Sequence, residues 1–296
     1  MSDKAEALQP NAPVGDSLKG VARTILVNAR AAIDNPERSD AEAVHQFRRE
    51  MKRWRALLRL LAPYLGAEAR RLRTKARDLA RALGGARDAQ AALDGIADVT
   101  DHGGIDLSER SLANLRKKVD EIRRSAEGTV LTADMRLRLV EALDDAEGSV
   151  DRWSLRGLRF AQISGRLAHG YRAARHAVPE RWRAANAEDL HEFRKRIVNH
   201  RYQMETVAPL WPRFGKMWVG EAQRLRERLG KHQDLLVLAR LIEPHQPLSR
   251  WRSRLAPAIA KRRAAHVRSA RRIATRLLLD KPKAFRRRLA VMWKTG

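Results

Sequence analysis

The feature that most constrains this chain is that it repeats itself. A shift of 146 residues lays AEAVHQFRREMKRWRALLRLLAP (41–63) over AEDLHEFRKRIVNHRYQMETVAP (187–209). The register continues without a gap, so LARALGGARD (79–88) overlies LRERLGKHQD (225–234) and Ile96 overlies Ile242. Across these 56 positions 14 are identical, clustered around His45, Phe47, Arg48 and Arg55, the Ala62-Pro63 pair, and Leu83, Gly84 and Asp88. Helical composition alone scatters its coincidences. Clustered, ungapped identity points to two copies of one unit, and such copies pack naturally about a pseudo-twofold.

Nearly every long segment carries the 3.6-residue apolar period of helices, and none alternates as a strand would. The predicted helices are roughly 18–33, 41–62, 67–84, 86–98, 108–127, 133–147, 155–177, 186–208, 214–230, 232–243, 249–279 and 283–293. Pro63, Gly84, Pro209, Pro212 and Pro244 fall at the breaks. Asp40 and Ser108 are expected N-caps, and Gly84 and Gly230 expected C-caps. The expected fold is therefore all-α, two pseudo-symmetric helical bundles over 15–150 and 151–296, after a flexible lead-in at 1–14.

Charge says what such a fold would meet. Lys and Arg number 61 against 35 Asp and Glu, a formal net charge of +26. Residues 151–296 hold 35 basic and 11 acidic side chains, and residues 45–87 hold 13 and 3. An excess packed into segments argues for an anionic partner over a mixed solvated surface. There is no cysteine, so disulfides and thiolate metal sites are excluded. No apolar run reaches the ~20 residues that span a bilayer, so no membrane insertion is expected. The N-terminal residues lack the apolar stretch of a secretory signal, and the expected location is cytoplasmic.

On a helical projection from His45, Arg48, Arg49, Lys52, Arg55 and Arg59 lie within roughly 80° of it. Phe47, Met51, Trp54, Leu57, Leu58 and Leu61 lie opposite. A solvated face would place Glu at i±4 to relieve the repulsion, which costs a few tenths of a kcal/mol per adjacent pair. Here only Glu50 intervenes, off to one side. A bound anion would reverse that cost, which marks the face as a site. The second copy repeats it with His191, Arg194, Lys195 and Arg201, but Val198 replaces Lys52 and Asn199 replaces Arg53. His200 projects toward the apolar side and reads as a packed histidine. Recurrence of His45 and His191, each three residues before an arginine, favours ligand contact over a core role. Asp88 and Asp234 read as N-caps or as ion partners of a basic side chain. Arg166 and Arg172, on the helix leading into the second copy, are further candidates for the same site.

Four patterns, V-H-Q-F-R-R-x-x-K-R-x-R (44–55), L-H-E-F-R-K-R-x-x-x-x-R-Y (190–202), the paired L-G-x-x-x-D turns and the closing K-P-x-x-F-x-x-R-L (281–289), resemble the CHAD family, the conserved-histidine α-helical domain. The resemblance runs from about residue 15 to the end. It implies a basic central groove or channel between the bundles and binding of inorganic polyphosphate, in some settings at polyphosphate granules. The implied contacts are His45, Arg48, Arg49, Lys52, Arg55, His191, Arg194, Lys195 and Arg201. Some relatives carry an N-terminal triphosphate-tunnel domain, for which residues 1–14 leave no room, so no hydrolase activity is implied.

Charge alone would equally fit nucleic acid, chiefly at low salt. Aromatics are only 5% of the chain, and Phe47, Trp54 and Phe193 lie on apolar faces where no base could stack. An enzyme of phosphate transfer would need a carboxylate cluster for metal, a P-loop or an activated nucleophile. None is evident, so neither catalytic residue, metal nor cofactor is expected.

Overall fold

The computed structural model describes residues 7–84, 87–102, 105, 107–127 and 131–295, and among them there is no strand. Ten α-helices follow one another among the described residues: α1 Val14–Asp34, α2 Asp40–Ala82, α3 Arg87–His102, α4 Glu109–Glu127, α5 Ala133–Arg152, α6 Phe160–His176, α7 Ala187–Glu205, α8 Pro212–Leu241, α9 Arg252–Leu277 and α10 Pro282–Thr295. No helix among the described residues is long and apolar enough to cross a membrane.

The 146-residue offset reappears in these boundaries. It carries Val14, the start of α1, onto Phe160, the start of α6, and Gly66 onto Pro212, the start of α8. Predicted helices 41–62 and 67–84 are the two segments of α2, which meet at the non-helical Gly66 (φ 55°, ψ −123°), three residues past the break expected at Pro63. A proline removes one helical hydrogen bond, and the glycine without a Cβ takes the left-handed turn that follows. The second copy makes the same bend with a 3-10 turn at Ala208–Leu210 and a proline at the first position of α8. The predicted break between 230 and 232 is absent, because α8 continues to Leu241. Gly230 is therefore no C-cap, and Asp234, deep inside α8, is no N-cap.

Other ends follow local chemistry. Ser39, not Asp40, caps α2: Ser39 Oγ accepts from Glu42 N at 3.4 Å and Ser39 N donates to Glu42 Oε2 at 3.0 Å. Asp40 instead accepts from Arg136 at 2.6 Å. Ser108 does cap α4, its Oγ accepting from Ser111 N at 3.3 Å. Within the lead-in, Leu8 is buried and donates its N–H to Thr206 O at 2.9 Å; residues 1–6 lie outside the described ones.

Two apolar cores hold the helices. The larger joins α1, α2, α5, α6, α7 and α10 with the first half of α8 and the second half of α9. The smaller joins α3 and α4 with the second half of α8 and the first half of α9. Helices from either half of the chain thus share both cores. Stacked rings mark the larger one: Trp54 on Trp153 at 5.7 Å and Tyr171 on Phe285 at 4.3 Å. Phe285 and Leu289 of the closing motif are both buried there. In the smaller core, buried Asp98 takes two bonds of 2.9 Å from Arg262, lies 2.8 Å from His266 Nε2, and so ties α3 to α9. Burial alone would raise the Asp98 pKa, and the bonds from Arg262 and His266 more than reverse it.

His200 stands where the first copy has Trp54. It is fully buried, accepts from Trp218 Nε1 at 2.9 Å, and burial holds its pKa near 3. Burial, with Arg263 and His266 nearby, also takes His232 down to about 4. Their folded pKa values lie below the unfolded value of about 6.5. Their stabilising contribution is therefore complete above pH 6.5 and lost as pH falls, since only the unfolded chain then takes up the protons. Between pH 7 and 5 each costs about 2 kcal/mol. The melting temperature should fall over that interval, and fall less for His200→Gln, which keeps an acceptor for Trp218; identical pH slopes would refute the assignment.

Candidate anion-binding groove

Because Phe47, Met51, Trp54 and Leu58 of α2 and Phe193 and Ile197 of α7 are buried, the opposite faces of these helices are left to open outward. The helices also touch across the repeat: Arg59 Nη1 donates to Asn199 Oδ1 at 3.3 Å, and Gln203 Nε2 to Ala56 O at 3.3 Å. Between the cationic faces lies a groove of about 2000 Å3. Its walls hold His45, Arg48, Lys52 and Arg55 from α2, and His191, Arg194 and Lys195 from α7. Val198 and Asn199 line it as well, so the second copy's wall is the less charged one.

The repeated arginine and the repeated Leu-Gly step meet in both copies. Arg48 Nη1 donates to Leu83 O at 3.0 Å. Arg194 lies over Gly230, its guanidinium 3.6–3.7 Å from where a Cβ would stand. In the first copy the Leu-Gly step ends α2, as expected of Gly84, and in both copies it is where the repeated arginine is set. Asp234 lines the groove, whereas Asp88 is exposed in the first turn of α3.

Four candidates are placed elsewhere. Arg49 Nε lies 3.2 Å from Oε1 of Glu50, which is wholly buried and also accepts from Arg53 at 2.9 Å. Arg201 is held by Glu205 at 2.6 Å and lies over the Tyr202 ring at 4.4 Å. Glu205 is the repeat partner of Arg59, so the second copy closes its cation row with an ion pair. Arg166 and Arg172 are on α6, outside the groove lining.

The groove also takes cations that reasoning along the histidine helices missed. Arg77 and Arg81 come from beyond the Gly66 bend, and Arg226 and Lys231 from α8. The first two sit with Arg73 at a spacing of four, a row visible in the sequence. Arg226 has no counterpart signal, since Ala80 occupies its place in the first copy.

Charge crowding shows in the titrating groups. Burial, then Lys52, Arg49, Arg48 and Arg226, hold the His45 pKa below its ordinary value. Burial, then Arg55, Arg73 and Arg196, push Arg59 down to about 10. An incoming anion would oppose the charge part of both shifts. His191 Nδ1 lies 3.0 Å from Gln233 Oε1. The amide oxygen only accepts, so Nδ1 carries the hydrogen and Nε2 is the atom left for a proton or ligand.

A sequence model of the CHAD domain matches residues 18–243, a span that contains both histidine helices and most of the groove. The chain belongs to the CHAD family. The crystal structure of the CHAD domain from the plant Ricinus communis is similar over 98% of this chain and 96% of that one, with a TM-score of 0.58 and 19% identity. At that identity the likeness speaks for the fold, an all-α CHAD architecture. A comparison with curated proteins gives no match.

In this CHAD chain the His45 titration, followed by NMR without ligand, should have a midpoint below that of an exposed histidine. Lys52→Gln should move the midpoint upward, since Lys52 is the strongest charge acting on the ring. An unmoved midpoint would mean that the ring does not feel the row.

Proposed function

We propose that this groove binds inorganic polyphosphate without turning it over. The observation that carries the reading is the convergence of the two histidine helices, one from each copy, on a single groove whose cations crowd one another. Phosphate chains carry about one charge per phosphate and no flat apolar rings, which suits arginine forks and lysine point charges. Nucleic acid is the second reading, supported by charge alone. Against it, Phe47, Trp54 and Phe193 are buried, and Tyr202 is the one phenylalanine, tyrosine or tryptophan in the described groove lining. A base-stacking platform is therefore missing from that lining.

Turnover would need a metal-binding carboxylate cluster, a P-loop or an activated nucleophile, and the sequence carries no such motif. The reading places the protein in the cytoplasm and, where polyphosphate condenses, on its granules.

Competition at matched phosphate concentration and fixed physiological salt tests the ligand. Polyphosphate should displace single- and double-stranded nucleic acid, and a tie or a loss overturns the reading. Lys52→Ala with Lys195→Ala removes two exposed groove cations. That protein should melt as the parent does and bind about tenfold more weakly. Phosphate release above background, with magnesium or manganese present, would overturn the non-enzymatic part.

The pH dependence has a definite sign. His45 resists protonation in the empty groove, and a bound anion favours the protonated ring, so binding takes up a proton. Affinity should rise as pH falls from 8 toward 6, and His45→Gln should flatten the profile. Parallel profiles for the two proteins would exclude His45 from the ligand contact.

A further inference from the structure

The two copies differ most in how they treat the charges of their first helices. In the first copy, acids on α5 neutralise α1: Arg23 pairs with Asp151 at 2.8 Å, and Arg30 pairs with Asp144 and Glu147. In the second copy the corresponding helices are α6 and α10, packed through Phe160 on Trp293 at 4.4 Å. Neither contains an Asp or Glu, and together they carry eight Lys and Arg. The second pair thus lacks the neutralising acids of the first, and Trp293 stands where the first copy has Glu147.

Several of these cations are gathered on one side of α6. Arg286 of α10 reaches across the helix, donates to Ala161 O at 3.1 Å, and lies 3.7–3.8 Å from where a Gly165 Cβ would stand. Arg166 and Arg172 flank His169 at three residues on either side, on the face that includes Gly165. Arg166 Nε is buried with no hydrogen-bond partner among the described residues. Burial, then Arg166, Arg172 and Arg196 of α7, hold the His169 pKa below its ordinary value. Glu192, the acid that pairs with Arg196 at 2.8 Å, is shared with Lys195 at 3.2 Å.

This cluster adjoins the groove. Arg196 acts on both His169 and Arg59, so it is near each of them. Arg59 holds Asn199, and Asn199 Nδ2 is 3.9 Å from where a Gly170 Cβ would stand on α6. The α6 cations therefore begin where the groove wall formed by Arg59 and Asn199 ends.

We infer that Arg166, His169, Arg172, Arg196 and Arg286 form an outer anion subsite that receives the part of a phosphate chain emerging from the groove past Arg59 and Asn199. The inference rests on the reading of the groove as a polyphosphate site. Its consequence is a dependence on length: a short phosphate chain occupies the groove alone, and a long one occupies both.

The test compares tripolyphosphate with long-chain polyphosphate on the full chain. The variants are Arg172→Gln/Arg196→Gln/Arg286→Gln and a control of equal charge loss, Arg224→Gln/Arg252→Gln/Arg254→Gln, with thermal melting to verify folding. The outer variant should lose about tenfold in affinity for the long chain and less than about twofold for tripolyphosphate, with the control little changed for either. Equal losses in the two variants, or equal losses for the two ligands, overturn the outer subsite and leave the groove reading standing. If the unsubstituted protein binds neither phosphate, the groove reading itself falls.

Discussion

Like charges held together against their own repulsion are what the rest of this structure arranges. The cationic faces of α2 and α7 would separate if the helices were free to turn. They are not free, because Phe47, Trp54, Phe193 and Ile197 are locked in a common core on the opposite sides. Truncating a buried aromatic of this kind costs about 3–5 kcal/mol, against a few tenths for each crowded pair of exposed charges. Packing decides the orientation, and electrostatics inherits the result. The buried Glu50, which holds Arg49 and Arg53, relieves the crowding at the back of α2 and leaves the groove side untouched.

Much of this was readable along the chain, because amphipathic helices translate spacing directly into faces. His45, Arg48, Lys52 and Arg55 share the wall that their spacing assigns them. What the chain did not disclose depends on partners distant in sequence. Arg201 has the spacing of a groove residue, yet Glu205 one turn on captures it. Arg226 and Lys231 reach the groove only because α8 packs against α7 and runs on past Gly230. Gly230 itself looks like a helix end, since glycine usually ends helices, but here its bare backbone lies beneath Arg194. Pro63 misleads similarly: the bend it signals is executed three residues later, where Gly66 can adopt it.

The two copies have diverged along a consistent line. Residues that make the core, and the glycine beside the repeated arginine's contact, have been kept, as with Phe47 and Phe193 or Gly84 and Gly230. Residues that set local charge have been exchanged: Lys52 for Val198, Arg59 for Glu205, and Asp144 and Glu147 for Ala290 and Trp293. The larger core buries a tryptophan at one copy's position and a hydrogen-bonded neutral histidine at the other's. Apolar geometry is the conserved frame, and charge is the variable written onto it.

Building one groove from two copies of a helix also bears on direction. A nucleic acid strand has distinct 5′ and 3′ ends, and a protein that holds it must favour one sense. A linear inorganic phosphate chain reads identically from both ends. Walls that offer histidine and arginine three residues apart in each copy present similar groups to a chain entering from either side. The unequal first helices then break that equivalence, with neutralised cations on α1 and an acid-free row on α6. A ligand without polarity would acquire one here, from the protein rather than from its own chemistry.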